Sequence, residues 1–132
     1  MSFPNHYLAP GTKENWQAAF ANGNVWATNQ SRQGVWQKLK TGDVIFFYLL
    51  LPVCAVIGWG EILGTSGPEA EPFYPDDPRQ ATKWPFRIKF KVGQLGGAQV
   101  SAAELRDLRI TPRGSIQYVS PRKAQKLLER FR

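Results

Sequence analysis

The sequence has 132 residues, 42% of them hydrophobic and 20% charged, so the chain can bury a core and is not disordered by composition. A single cysteine and a single histidine exclude a disulfide framework and the usual structural zinc sites, which need four Cys or His ligands. Residues 86–132 hold eleven Lys or Arg against three Asp or Glu, whereas residues 1–85 hold six against seven, so the basic half favours nucleic acid or an anionic surface as a partner.

The N-terminal part of the chain is predicted to alternate short strands with short helices. A strand is expected over His6–Ala9, and Thr12 can cap a helix over Lys13–Asn22. The next elements predicted in chain order are a strand fragment over Val25–Thr28, a polar loop over Gln30–Gly34, a short helix over Val35–Leu39, and two apolar strands over Val44–Leu51 and Cys54–Leu63. Because the last two strands lack the alternation of a half-exposed sheet, they indicate a barrel or a sheet covered by helices.

The C-terminal part begins with a long loop over residues 64–83, rich in glycine, proline and acidic residues. A strand with alternating apolar side chains is predicted over Pro85–Val92. The remaining predicted elements are a helix capped by Ser101 and Glu104 and ending near Leu108, a strand over Ser115–Val119, and a C-terminal helix opened by Ser120 and Pro121 with Ala124, Leu127, Leu128 and Phe131 on one face. Together the elements predict an α+β fold, a small mixed β-barrel flanked by helices.

The uncharged segment Val44–Gly60 is marginal in length for a membrane span and contains one proline and two glycines, so two buried strands explain it better. The N-terminal residues Met1–Pro10 lack the basic and apolar regions of a signal peptide. We therefore expect one soluble, cytoplasmic domain over residues 1–132, with no membrane partner.

The residues of the chain offer little for catalysis. His6, without a second histidine, cannot build a Ser-His-Asp triad or a metal cluster. Cys54 lies in a predicted apolar strand, which is typical of a core cysteine rather than a nucleophile. Asp76 and Asp77 fit a solvated loop better than a metal site. We expect a protein that is not an enzyme and holds no metal or cofactor.

Aromatic side chains, 13% of the residues, are more informative. Four of them lie on predicted loops or at strand ends: Trp26, Phe73, Tyr74 and Trp84. Aromatic rings beside basic strands suit the stacking of nucleic-acid bases, since every base has a π face and its phosphate needs a cation. For Trp26 and Trp84 a place in the core is an equal alternative, and Trp16 and Trp36 are assigned to the core.

Seven short segments, in this order, resemble the EVE family, which belongs to the PUA-like superfamily and is related to the YTH domains that read N6-methyladenosine. These segments are Tyr7-Leu8-Ala9, Glu14-Asn15-Trp16, Asn24-Val25-Trp26, Lys38-Leu39-Lys40-Thr41-Gly42-Asp43, Ile57-Gly58-Trp59-Gly60-Glu61, Trp84-Pro85-Phe86-Arg87-Ile88 and Arg113-Gly114-Ser115-Ile116. The resemblance runs from about residue 6 to residue 130 and implies a PUA-like β-barrel flanked by helices.

The resemblance also implies that a modified, methylated nucleobase is flipped out of its strand into an aromatic cage. Trp26 and Trp84 match two cage walls, and the third would come from Phe73 or Tyr74. The implied contacts to the edge of the base are Asn15, Ala27 and Thr28. Arg113 matches a residue that contacts the nucleic-acid backbone, and the charge pattern adds Lys89 and Lys91 as secondary candidates.

The partner implied is a nucleic acid carrying a modified base, either DNA or RNA, and the residues do not distinguish the two. In prokaryotic relatives such domains are often the recognition part of modification-dependent restriction systems, including McrBC-type systems, so a fused or associated restriction effector is also implied. The main alternative is a PUA-like RNA-binding module that acts on tRNA or rRNA without reading a modification. An enzyme of small nucleic-acid substrates is a third reading.

Overall fold

The computed structural model describes residues 4–69 and 84–131. The strands within these residues are β1 (His6–Gly11), β2 (Val25–Thr28), β3 (Val44–Leu49), β4 (Ala55–Ser66), β5 (Phe86–Ser101) and β6 (Gln117–Val119). The helices are α1 (Lys13–Ala21), α2 (Gln33–Gln37), α3 (Ala102–Asp107) and α4 (Pro121–Glu129), and a 3-10 turn over Gln30–Arg32 leads into α2. Phe73 and Tyr74 lie outside the described residues.

One mixed sheet joins the six described strands in the order β2-β5-β4-β3-β1-β6. Strand β1 pairs with β3 in parallel, and every other pair is antiparallel. The indole nitrogen of Trp26, on the edge strand β2, donates a hydrogen bond of 2.8 Å to the carbonyl of Ser115, two residues before the other edge strand. The sheet therefore curls into a half-barrel, which confirms the predicted PUA-like α+β fold.

The sheet is buried on both faces, as the unbroken apolar strands predict. Strand β3 shows this directly, since Phe46 and Phe47 are both fully buried but belong to different core clusters. The cluster around Phe47 fills the curve of the half-barrel and contains Trp16, Trp26 and Phe90. The cluster around Phe46 lies beneath α3 and α4 and contains Leu105 and Leu127.

The helix caps predicted from the sequence form at two of the three positions. The Thr12 hydroxyl accepts a hydrogen bond from the Asn15 amide, and the Ser101 hydroxyl accepts one from Glu104. Ser120 occupies the cap position of α4, but its hydroxyl makes no capping bond. Helix α4 buries Ala124 and Leu127, as its spacing predicts; Phe131 is buried two residues beyond its end, and Leu128 is half-buried. None of the helices in the described part of the chain is long and apolar enough to cross a membrane.

Several element boundaries differ from those predicted. The predicted polar loop after β2 is mostly helical, because residues 30–37 form the 3-10 turn and α2. Strand β5 continues to Ser101 instead of ending at Val92, since pairing with β4 outweighs its glycines. Within β5, Gly93 has no side chain, and the ring of Trp59 occupies the space that a Cβ at residue 93 would need. Cys54 lies in the turn before β4, at φ 50°, rather than in the strand.

Candidate functional site

A cavity of about 320 Å³ opens where the two edges of the half-barrel meet. We call it the tryptophan cavity; it is lined by Pro10, Gly11, Thr12, Asn15, Trp26, Asn29, Leu50, Trp84, Gly114 and Ser115. Three of the residues predicted for the site are therefore brought together from three elements: Asn15 from α1, Trp26 from β2 and Trp84 from the entry to β5. No acidic side chain lines this cavity among the described residues.

Trp26 borders the tryptophan cavity but is a core residue. It is 1% exposed, and its ring stacks on that of Trp16 with centroids 3.9 Å apart at 11°. The Trp16 indole nitrogen is itself held by two backbone carbonyls, those of Ala9 at 3.2 Å and Tyr48 at 3.1 Å. Close packing and three indole hydrogen bonds thus hold Trp26 in place, and at 1% exposure its ring offers little surface to a base.

Trp84 forms a half-buried wall of the tryptophan cavity and packs against the same core cluster. Its carbonyl accepts a hydrogen bond of 3.1 Å from Nε of Arg87, which fixes the chain where it enters β5. The Arg87 carbonyl in turn accepts a bond of 3.0 Å from the Trp36 indole. The remaining predicted wall, Phe73 or Tyr74, falls outside the described residues.

Polar groups of the tryptophan cavity have unused hydrogen-bonding capacity. Asn15 is half-buried, and its side-chain amide has no hydrogen-bond partner within the described residues. The Ser115 hydroxyl is buried and likewise has no partner there. A buried polar group without a partner loses its hydration uncompensated, at about 1–3 kcal/mol. The Asn15 amide is therefore suited to a ligand that presents donors and acceptors, whereas the Ser115 hydroxyl is enclosed by protein.

Arg32 lies beside the rim of the tryptophan cavity. Its guanidinium packs on Gly114, in the space where a Cβ of residue 114 would lie, and its Nε has no hydrogen-bond partner among the described residues. Gly114 also has φ 67°, in the left-handed region. A positive charge therefore stands next to an otherwise neutral pocket.

Ala27 and Thr28, predicted to contact the edge of the base, are buried in the sheet and do not line the tryptophan cavity. Ala27 pairs with Arg87 across β2 and β5. The Thr28 hydroxyl is buried without a hydrogen-bond partner in the described part of the chain. Their role as base-edge contacts stays a prediction.

A second cavity, of about 220 Å³, holds the predicted backbone contact Arg113. We call it the basic cavity; it is lined by Arg109, Ile110, Thr111, Arg113, Gln117, Tyr118, Val119, Ser120 and Lys123. Lys89 and Lys91 lie in neither cavity, on exposed positions of β5, and Lys91 pairs with Glu61 at 3.6 Å. The geometry thus separates Arg113 from the two secondary candidates.

Comparison with known families agrees with this architecture. A model of the EVE domain matches residues 5–130 of the sequence. The chain belongs to the EVE domain family. No group of three or more His, Cys, Asp or Glu side chains that could hold a metal ion occurs in the described part of this EVE domain.

Solved structures share the fold of this EVE domain at low sequence identity. ASCH from Zymomonas mobilis superposes with a TM-score of 0.68 at 14% identity, over 94% of each chain. A protein from Pseudomonas putida gives 0.69 at 16%, over 94% of this chain and 97% of that one. The Mmi1 YTH domain, solved as a complex with RNA, gives 0.67 at 10%, over 96% of this chain and 76% of that one. No curated protein matches the sequence.

Sequence reasoning missed several residues that build the tryptophan cavity of this EVE domain, namely Asn29, Leu50, Gly114 and Ser115 as lining residues and Arg32 at the rim. Gly114 and Ser115 stand in one of the segments that carry the family resemblance, so a signal existed for them. Asn29 and Leu50 carry no local signal for a site. Asn29 directly follows β2, and Leu50 is placed by the pairing of β3 with β1, where its amide donates to the Gly11 carbonyl at 2.9 Å.

Proposed function

We propose that this EVE domain is a non-catalytic nucleic-acid-binding domain that takes a flipped, modified nucleobase into the tryptophan cavity. The observation that carries the proposal is that Asn15, Trp26 and Trp84, from three separate elements, line one cavity. Its volume of about 320 Å³ falls within the range of small-ligand pockets, roughly 300–1,000 Å³. The fold shared with a YTH domain solved with RNA supports a nucleic acid as the partner.

The chemistry of the tryptophan cavity suits a methylated base. A methyl group adds apolar, polarisable surface, which indole rings remove from water, while a few polar groups test the edge of the ring. The half-buried Asn15 side-chain amide offers unused donors and an acceptor for that edge. Flipping a base costs a few kcal/mol of lost stacking and pairing, and stacking in the pocket returns about 1–3 kcal/mol.

We further propose that this domain works with a restriction effector. Membership of the EVE family supports a restriction effector that is fused to or associated with this domain and acts when a modified base is bound. The domain itself then serves as the recognition module, and DNA is the substrate class that such an effector requires.

The test is a fluorescence-anisotropy panel of matched DNA and RNA oligonucleotides carrying unmodified cytosine or adenine, 5-methylcytosine, 5-hydroxymethylcytosine or N6-methyladenine. We expect one modified strand to bind tighter than its unmodified match. Equal affinity across the panel would support an RNA-binding module that does not read modification, and turnover of any strand would support an enzyme.

A variant of the cavity wall and a control variant test whether the preference for a modified strand arises in the tryptophan cavity. Trp84→Ala removes a stacking wall and should weaken binding of the preferred strand by about five- to more than a hundredfold, with a smaller effect on the unmodified strand. Phe20→Ala is the matched control, because Phe20 is also a half-buried aromatic residue of the same core cluster but does not line the cavity. Thermal melts of both variants separate loss of binding from loss of fold. Equal effects of the two variants would remove Trp84 from the site.

A further inference from the structure

The basic cavity around Arg113 is lined by positively charged side chains and by no acidic side chain among the described residues. These cations are Arg109, Arg113 and Lys123. Elsewhere cations do find partners, since Lys91 pairs with Glu61 at 3.6 Å and Arg130 pairs with Glu104. Within the described residues no carboxylate lies within ion-pairing distance of the three cations of the basic cavity. Cations that line one cavity without a carboxylate favour an anion there.

The walls of the basic cavity are held in place before any ligand binds. The Gln117 side chain accepts a hydrogen bond from the Arg113 amide at 2.7 Å and donates one to the Thr111 carbonyl at 3.0 Å, which ties the loop to β6. Nζ of Lys123 donates to the Arg109 carbonyl at 2.8 Å, which ties the same loop to α4. Because the loop is already ordered, an anion would bind with little further loss of conformational freedom.

Consecutive residues of one loop line the basic cavity and the tryptophan cavity. Arg113 lines the basic cavity, and the next two residues, Gly114 and Ser115, line the tryptophan cavity. Successive Cα atoms are about 3.8 Å apart, so the two cavities are neighbours on one loop. Tyr118, 52% exposed at the wall of the basic cavity, adds an aromatic ring beside the cations. Cations beside an exposed aromatic ring are the combination with which proteins bind single-stranded nucleic acid.

We propose that the basic cavity is a phosphodiester subsite, in which Arg109, Arg113 and Lys123 hold a backbone phosphate next to the nucleotide whose base enters the tryptophan cavity, with a flanking base on Tyr118. This inference rests on the proposed function and adds Arg109, Lys123 and Tyr118 to its binding surface. The positive end of the α4 dipole, at Ser120, adds to the same potential.

The experiment measures affinity for an unmodified single-stranded 12-mer over a range of salt concentrations. Arg109→Gln and Lys123→Gln should each weaken binding and lower the slope of log affinity against log salt by about 0.7, the value for one phosphate contact on a single strand. Lys126→Gln is the matched control, because it removes the same charge from the last turn of α4 and does not line the basic cavity. Melting curves verify that all three variants fold. Equal slopes in the three variants would overturn the proposal.

Two further arms identify the source of the phosphate and keep the two proposals apart. Tyr118→Leu should weaken oligonucleotide binding and leave the binding of inorganic phosphate unchanged. If inorganic phosphate binds the basic cavity but oligonucleotide affinity is the same in Arg109→Gln and Lys123→Gln as in the wild type, the nucleic-acid assignment is overturned. The free modified nucleoside fills only the tryptophan cavity, so its affinity should be the same in Arg109→Gln as in the wild type. If the salt slope falls in Arg109→Gln and Lys123→Gln but the modification panel shows no preference, the phosphate subsite is supported and only the reading of a modified base is rejected.

Discussion

Trp26 is a single side chain that closes the half-barrel and lines the candidate site. Its ring is 1% exposed and its indole donates to Ser115, so Trp26→Ala should lower the free energy of unfolding by about 3–5 kcal/mol. Trp26→Phe keeps most of the ring but leaves the Ser115 carbonyl unpaired, and should cost about 1–3 kcal/mol. Urea unfolding measures both values. A loss below about 1 kcal/mol in Trp26→Ala would show that the ring is not part of the core.

Gly114 lines the tryptophan cavity in a backbone conformation that disfavours a side chain. Gly114→Ala should destabilise the fold by about 1–3 kcal/mol, because φ 67° disfavours a Cβ; the Arg32 guanidinium in that space ends a flexible side chain and can move aside. Gly64→Ala is the matched control, since nothing lies within 4 Å of its Cβ position. Chemical denaturation of the two variants tests the contrast. Equal stability of both would mean that the loop at Gly114 rearranges freely.

The limits of sequence reasoning are clearest at single residues. The segments that resemble the EVE family contain Asn15, Trp26 and Trp84, and these three do meet in one cavity. The sequence does not show that Trp26 is covered by Trp16, because the stacking joins α1 to β2 through tertiary packing alone. Nor does it show Asn29, which directly follows β2, or Leu50, which reaches the cavity through the pairing of β3 with β1.

At the scale of the element, His6 gives strand β1 a dependence on pH. Burial lowers the pKa of His6 below 6.5, while Asp43 acts weakly in the opposite direction. The unfolded chain therefore binds the proton first, so the stability conferred by neutral His6 is complete above pH 6.5 and is lost as the pH falls through the lowered value. Urea unfolding at pH 7.5, 6.5 and 5.5 should show this decline, and His6→Gln should reduce it. An unchanged decline in His6→Gln would assign it to other groups.

Elements with strong local signals were predictable, and those set by pairing were not. Helix α4 matches its prediction because proline at its start and the spacing of Ala124, Leu127 and Phe131 are local features. Strand β5 extends nine residues past the predicted Val92 because its partner β4 supplies hydrogen bonds to a segment with weak strand propensity. The segment before α2 is helical although it is polar throughout, for which the sequence carries no periodic signal.

At the scale of the whole molecule, neutral residues line the tryptophan cavity, and cations line the neighbouring basic cavity. Residues 86–132 carry the excess of Lys and Arg, and three of these cations line the basic cavity. A methyl group on a base carries no charge, so a modified strand releases the same number of counterions as its unmodified match. The two recognition terms, phosphate attraction and base insertion, should therefore be independent.

The independence of these terms predicts parallel salt titrations. Plots of log affinity against log salt for a modified strand and its unmodified match should have the same slope and a constant offset, which is the contribution of the tryptophan cavity. Arg113→Glu should lower both slopes by about one phosphate contact and leave the offset unchanged, whereas Trp84→Ala should shrink the offset and leave the slopes unchanged. Fluorescence anisotropy at five salt concentrations measures both quantities. Slopes that diverge between the two strands would show that the modification changes the phosphate contacts, and base insertion would then be coupled to the path of the backbone.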